Sequence, residues 1–391
     1  MVALGALRAV NALSRRTGRG AGTVAGGRVA LLLQPRLVAR LATARQIALV
    51  SGTNGKTTTT ALLAAALGGA TTNETGSNMT AGHVAALASR GRGPVVLETD
   101  EAFLPTTLTS TSPDVVVLLN LSRDQLDRSS EVRQLAEKWR DALRATTALV
   151  VANVNDPLVV YAASSATRVL WVAVPTYWLG DAASCPQCTA PLAVVDGWEC
   201  RCGFQRPEPD ATYANGTLAS TFGTTALSLS LPGRFNEANA ALAAVAAAAL
   251  GRPLLEAVAA MRLVQSVAGR FSLRRRDGVR VRLHLAKNPA GVAALVADDH
   301  AWSSPLVIAI NDEGADGRDP SWLYDAPFEL LRGHDVKCDG SRALDLAARL
   351  YYADVDATLL RDEPLRASED VVDVIANYTA FRHWMEASSP C

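Results

Sequence analysis

The chain has 391 residues, enough for two or three domains with separate cores. Its 38 basic side chains balance 38 acidic ones, and 49% of its residues are hydrophobic; this excludes a nucleic-acid binder driven by phosphate neutralisation and describes an ordinary soluble globular protein. The charge is unevenly placed, because no Asp or Glu precedes Glu74 while eight arginines lie between Arg8 and Arg45.

Residues 1–45 read as a solvated basic helical leader, with a transit peptide or a contact with an anionic lipid or partner as the sharper alternatives. The run "RVALLLQPRLVARLA" is too short and too interrupted to span a bilayer, and there is no convincing secretory segment. The expected location is therefore the cytoplasm, with peripheral contact at the inner face of the cell membrane as the alternative.

After the leader, the apolar runs "QIALV", "PVVLETD", "DVVVLLN", "ALVVAN" and "RVLWVAV" alternate with helical patterns such as "EVRQLAEKWRDALRA". Strand, helix, strand in this rhythm predicts a parallel sheet covered on both faces. From Thr176 a Cys-, Pro- and Gly-rich stretch reads as an insertion ending near "RPEPDATYANG", within which residues 180–207 hold the cysteines. "TTALSLSLPG" then resumes a strand-like alternation, and "FNEANAALAAVAAAAL" predicts a helix with Asn236 as its N-cap, followed by a second helix over "PLLEAVAAMRLV". Beyond "GRF" at Gly269 to Phe271, the short strands "VRVRLHLA", "PLVIAIN", "HDVKC" and "VDATLL", with "RALDLAARLYY" as a helix, form a second α/β pattern. The expected division is 46–268 for the first domain and 269–391 for the second.

"SGTNGKTTT" after the first strand is a phosphate-binding loop two residues shorter than G-x-x-x-x-G-K-[ST], with Val50 where the first glycine would stand. Its glycines let backbone N–H groups face an anion at a helix N-terminus. Thr53, Asn54, Gly55, Lys56, Thr57 and Thr58 are thus expected to bind ATP, Lys56 at the terminal phosphates and a threonine hydroxyl at Mg²⁺. Acidic groups end the next two strands: Glu98, Asp100 and Glu101 in "LETDEAFL", and Asp124 and Asp127 with Asn120 in "NLSRDQLDR". Glu98 and Asp124 are the preferred magnesium-side groups, and Asp127 reads better as a helix cap.

Four of the six cysteines cluster as Cys185-x2-Cys188 and Cys200-x-Cys202, the number of thiolates a tetrahedral zinc requires. Reduced thiols or two disulfides are the bland alternatives, and iron is the chemical one. Of the other two, Cys338 follows His334 by four residues, roughly 13 Å along an extended strand. With no G-x-C-x-G elbow, a glutamine-hydrolysing nucleophile is not expected in this chain.

"SGTNGKTTT", "LETDEA", "NLSRDQLDR" and "GRFNEANAALAA" together resemble the central ATPase domain of the Mur ligases and folylpolyglutamate synthases. Adding "NETGSNMTAG", "CPQC" with "CRCGF", "LAKNPAG" and "NDEGADGRDPSWLYD", the resemblance covers nearly the whole chain and narrows to the MurT branch, the synthetase subunits of lipid II isoglutaminyl synthases. It implies an α/β protein with a Mur-ligase-type central P-loop ATPase domain carrying an inserted four-cysteine zinc ribbon, and a C-terminal Rossmann-like α/β domain. The implied reaction activates the α-carboxylate of D-glutamate in the lipid II stem peptide as an acyl phosphate, using ATP and Mg²⁺. Ammonia comes from a partner, a GatD-type class I glutamine amidotransferase forming a heterodimer. Glu98 and Lys56 would serve the phosphoryl transfer, Asn236 and Asn239 the adenine, and Arg270 the phosphates. Asp319 of "DGRD" would complete the partner's Cys-His-Asp triad, with Asp316 and Asp325 as fallbacks. The zinc would be structural. One departure stands out: Mur ligases carry a carbamylated Lys after the middle acidic motif, and here Lys138, at an exposed-looking helix position, is the nearest in sequence. A free-standing amino-acid ligase and an ATP-binding scaffold for a glutaminase are the rival functions.

Overall fold

The computed structural model describes residues 2–16, 23–43, 45–73, 77–88, 93–124, 132–194, 197–267, 269–297, 302–314, 316–360, 365 and 371–391. Three helices open the chain: α1 (Val2–Arg16), α2 (Thr23–Leu33) and α3 (Leu37–Ala42), with Pro35 between the last two. Pro35 lacks the N–H that would continue α2, so the helix stops just before it. Adjacent glycines let α2 pack on two sides at once. A Cβ on Gly26 would overlap Asn11 of α1, and one on Gly27 would overlap the carbonyl of Ala81.

The first sheet contains β1 (Ile47–Ser51), β2 (Thr71–Thr72), β3 (Val95–Glu98), β4 (Val115–Leu118), β5 (Leu149–Asn153), β6 (Val169–Ala173), β7 (Ala211–Ala214), β8 (Thr217–Ser220) and β9 (Gly223–Ala226). Their spatial order is β2-β3-β1-β4-β5-β6-β7-β8-β9. Pairing is parallel from β2 to β7 and antiparallel for the last two strands. β1, β3 and β4 are buried along their whole length, as strands covered on both faces must be. One cover is α4 (Lys56–Ala66), α9 (Arg234–Ala249) and α10 (Leu254–Met261). The other holds α1 to α3, α5 (Thr80–Leu87), α6 (Leu104–Thr111), α7 (Val132–Arg144) and α8 (Pro157–Ala163).

Three local expectations are corrected. The inserted stretch yields to strand sooner than expected, because "ATYA" pairs with β6 and turns back through Asn215-Gly216, both at positive φ as a tight hairpin turn requires. "LSLSLPG" is not a strand; only Gly223–Ala226 is, and Leu227 and Leu231 turn into the core. Asn236 does not cap α9: the cap is Gly233, and Asn236 lies inside the first turn with its amide donating to the Pro232 carbonyl at 2.6 Å.

The second sheet begins at Phe271. It contains β10 (Phe271–Arg276), β11 (Val279–Leu285), β12 (Leu306–Ala309), β13 (Val336–Asp339), β14 (Ala357–Leu359), β15 (Val371–Ala376) and β16 (Ser389–Pro390), in the order β14-β13-β12-β15-β11-β10-β16. The five strands from β14 to β11 are parallel, with α11 (Pro289–Val296), α12 (Ala343–Tyr352) and α13 (Tyr378–Glu386) among the connections. β15 sits at the centre, between β12 and β11, although its sequence carries a charge at mid-strand: Asp373 is buried and neutralised by Arg282 through two hydrogen bonds of 2.7 and 2.6 Å. Among the described residues no helix is long and apolar enough to cross a membrane.

Candidate functional site

The phosphate loop joins β1 to α4. Gly52 and Gly55 both hold positive φ, and Gly55 is the left-handed N-cap of α4. Its missing side chain is used: a Cβ there would lie 2.5 Å from the Asn239 amide oxygen, so α9 presses on the loop. The loop is also gripped from β4, where Asn120 accepts from the Asn54 N–H at 2.9 Å and donates to the Asn54 carbonyl at 3.0 Å. Thr53 exchanges two further bonds with Ser122, each of 3.0 Å. Backbone donors at the mouth of an eleven-residue helix are thereby fixed for an anion.

Lys56 is buried and donates to the carbonyls of Gly52 and Thr53 and, at 3.0 Å, to Glu101. Burial works against its charge, but Glu101, Asp124 and Glu98 outweigh that and raise its pKa, so it stays cationic. Of the acidic trio at the end of β3, Glu101 is the ion-pair partner of Lys56, and Trp139 further anchors Glu101 by donating to its carbonyl at 2.8 Å. Glu98 is buried beside them, its backbone held by both ends of the Asn73 amide and by His83. Asp100 caps the short 3-10 turn Glu101–Phe103.

The second domain reaches into this place. Lys287 donates to Asp124 at 2.6 Å, Asn288 touches both Asp124 and Asn54, and Arg270 donates to the Thr57 hydroxyl at 3.0 Å. Burial would raise the Asp124 pKa, yet Lys287, Lys56 and Asn288 hold it below the usual range. Thr57, Glu98 and Asp124 are hard oxygen donors around one loop, a set that suits magnesium. Lys138 is exposed on α7, and Asp127 lies outside the described residues.

Between the two sheets runs a cleft lined by the loop, by Tyr177, Trp178, Phe235, Asn236 and Asn239, and by Arg270, Phe271 and His284. His284 escaped sequence reasoning. It bonds Asp373 at 3.1 Å and lies between the rings of Phe271 and Trp302, each with its centroid 5.4 Å away. The alternation in "RVRLH" was the available signal, since it sets Arg280, Arg282 and His284 on one face of β11.

The four clustered cysteines come together as expected, with ligand atoms all within 4.8 Å of one another and Sγ–Sγ pairs at 3.4 and 3.7 Å. A tetrahedron with metal–sulfur bonds of about 2.3 Å has edges of about 3.8 Å, so the site fits zinc. The surrounding ribbon is small and is held by Trp198 and Phe204 against Val154 and Val160 at the end of β5 and on α8. Cys338, by contrast, is buried inside β13, and burial pushes its thiol up to about 12, which suits packing rather than attack.

The three candidate aspartates of the second-domain loop differ in their surroundings. Asp316 is buried and accepts from the hydroxyl and N–H of Thr379, with burial raising its pKa. Asp325 pairs with Arg123 at 3.1 Å, and Arg123 also pairs with Asp181. Asp319 faces solvent and caps the turn Pro320–Tyr324 through the Ser321 N–H, which lowers its pKa.

This combination of a shortened phosphate loop, two α/β sheets and a shared cleft defines a Mur-ligase-type protein. Residues 50–177 match the Mur ligase middle domain, and residues 285–381 match the MurT ligase C-terminal domain. Over its length the chain is 26% identical to the MurT subunit of lipid II isoglutaminyl synthase (glutamine-hydrolyzing) of Staphylococcus aureus strain COL, covering 95% of this chain and 94% of the relative. The corresponding subunit of Streptococcus pneumoniae strain ATCC BAA-255 / R6 is 28% identical over 94% and 92%. Among solved structures, a pseudomurein peptide ligase type C from Methanothermus fervidus superposes with a TM-score of 0.67 at 19% identity, covering 88% of this chain and 78% of that one. A Mycobacterium tuberculosis folylpolyglutamate synthase complexed with ADP gives 0.60 at 15%, covering 90% and 93%. The chain thus has the Mur-ligase fold and is similar along nearly its whole length to the MurT subunits.

Proposed function

We propose that this chain is the ATP-using subunit of a lipid II isoglutaminyl synthase, amidating the α-carboxylate of D-glutamate in the lipid II stem peptide. In this reading residues 46–268 handle ATP, residues 269–391 close the cleft, and residues 1–45 are an accessory leader. Lys56 and the loop amides hold the terminal phosphates, while Asn236, Asn239 and Arg270 face the rest of the nucleotide. A carboxylate oxygen of the substrate attacks the γ-phosphorus and ADP departs with the bonding pair, leaving an acyl phosphate. Ammonia then adds to the acyl carbon, loses a proton and expels phosphate. Magnesium, when bound near Thr57, Glu98 and Asp124, supplies neutralisation of the phosphoryl charge.

The ammonia source is a separate GatD-type class I glutamine amidotransferase, joined as a heterodimer. One observation carries this: of the three candidate aspartates, Asp319 alone is both exposed and bonded only within its own turn, whereas Asp325 pairs with Arg123 and Asp316 with Thr379. There it can orient a partner's His as the third member of a Cys-His-Asp triad. Reaction on a lipid-linked substrate places the protein at the cytoplasmic face of the membrane, as a peripheral component.

The test is to purify the chain with and without a co-produced amidotransferase and supply lipid II, ATP and either glutamine or ammonium. Ammonium is expected to support amidation by the lone chain, and glutamine only by the pair. Full-rate amidation from glutamine by the lone chain would overturn the two-subunit reading, and no substrate-dependent ADP release from the pair would overturn the ligase reading.

A further inference from the structure

We infer that the α1–α2 hairpin is a docking surface for an anionic lipid bilayer, which deepens the reading above by naming the surface that meets the membrane. Arg8, Arg16, Arg28, Arg36 and Arg40 are all exposed, and none forms an ion pair with a described residue. No acidic residue occurs before Glu74 to neutralise them. Between these cations the hairpin presents large apolar side chains to solvent: Leu13 at 64%, Leu32 at 84% and Leu33 at 54% exposure. In α1 the outward positions Val2, Gly5, Ala9, Leu13 and Arg16 recur at helical spacing on one face. Exposed leucines among unpaired arginines are the chemistry of an interfacial helix, where apolar side chains enter the headgroup boundary and cations meet anionic lipid.

A second exposed apolar helix face argues by contrast. On α12, Leu344, Tyr351 and Tyr352 are exposed too, but they share their surroundings with Asp345 and Asp354, which pair with Arg342 and Arg332. That mixed charge does not fit an anionic surface.

The hairpin is also firmly tied to the site. Gly27 seats α2 directly against Ala81 of α5, and two residues further on His83 donates to the Glu98 carbonyl at 2.9 Å. A bilayer touching α1 and α2 therefore lies on the α5 side of the phosphate loop.

The experiment is co-sedimentation of the full chain, alone and with its amidotransferase, with substrate-free vesicles of phosphatidylcholine or of phosphatidylcholine mixed with phosphatidylglycerol. Binding is expected only to the mixed vesicles and is expected to weaken at high salt. Each arginine near such a surface contributes about five-fold, so the triple variant Arg8→Glu, Arg28→Glu, Arg36→Glu should bind at least about 100-fold more weakly. Leu13→Asn with Leu32→Asn should lose about 10-fold through lost apolar insertion. Thermal unfolding and ADP binding unchanged from the parent show that the variants are folded, and the Arg→Lys triple variant should bind as the parent does. No binding to anionic vesicles, equal binding to neutral ones, or binding indifferent to charge reversal would overturn the proposal. So would charge-reversed protein that releases the amidotransferase while holding vesicles as before. Amidation of detergent-solubilised lipid II reports separately on the ligase reading, because the vesicles contain no substrate.

Discussion

The two sheets each end in a polar loop, and the two loops are finished differently. At the end of β1, the phosphate loop meets its needs within the chain: Lys56 has three acceptors, Asn54 is held on both sides by Asn120, and Asn239 fills the space beside Gly55. At the end of β12, the acidic loop is anchored as carefully, with Asn311 bonded to Asn377 and Asp316 to Thr379. Yet that anchoring ends by presenting Asp319 to solvent. A loop built rigidly around an outward carboxylate is what a site shared between two chains requires, whereas a loop closed on its own cation is what a self-sufficient phosphate site requires.

The largest test of that contrast is Asp319→Asn. Loss of the orienting carboxylate in a triad costs about 10⁴-fold, so glutamine-driven amidation by the complex should fall by that order while ammonium-driven amidation is unchanged. Equal loss in both assays would place Asp319 in the ligase half instead. Next is Lys56→Met, expected to slow substrate-dependent ADP formation about 10²–10³-fold with the partner's glutaminase intact, since it removes one charged donor from the developing phosphoryl charge. Third, Glu101→Leu leaves the Lys56 ammonium buried without its partner, so urea unfolding should show a loss of ~3 kcal/mol. Combining it with Lys56→Met should cost clearly less than the sum; simple additivity would show that the pair is not coupled.

The smallest expected effect is in the second sheet. Burial alone would raise the Asp373 pKa, but His284 and Arg282 bring it down to about 2. A folded-state pKa depressed below the unfolded value contributes stability that is fully present above the unfolded pKa and is lost as pH falls through the folded one. Asp373→Asn should therefore cost ~2 kcal/mol at neutral pH, and the gap to the parent should close as pH drops from about 4 to about 2. A gap independent of pH would assign the cost to packing.

What could be read from the sequence followed local pattern. The buried strands β1, β3 and β4 announced themselves as apolar runs, and the four cysteines by their spacing. The β7 to β9 meander did not, because Thr, Ala, Tyr and Gly alternate weakly there and Asn215-Gly216 reads as the tail of an insertion. Asn236 was assigned to capping because Asn favours that position, but Gly233, already at positive φ, begins the helix first. Glu101 was visible beside Glu98, yet nothing local distinguishes the carboxylate that turns toward Lys56. Lys287 and Asp124 lie 163 residues apart, and only the packing of the two domains brings them to 2.6 Å.

Arg123 and Asp124 are consecutive, and each grips a different part of the second domain: Arg123 holds Asp325 next to the acidic loop, while Asp124 holds Lys287 beside the phosphate loop. One peptide unit, about 3.8 Å from Cα to Cα, thus separates the tether of the acidic loop from that of the phosphate loop. Two adjacent side chains of opposite charge fasten the second domain at two separate points.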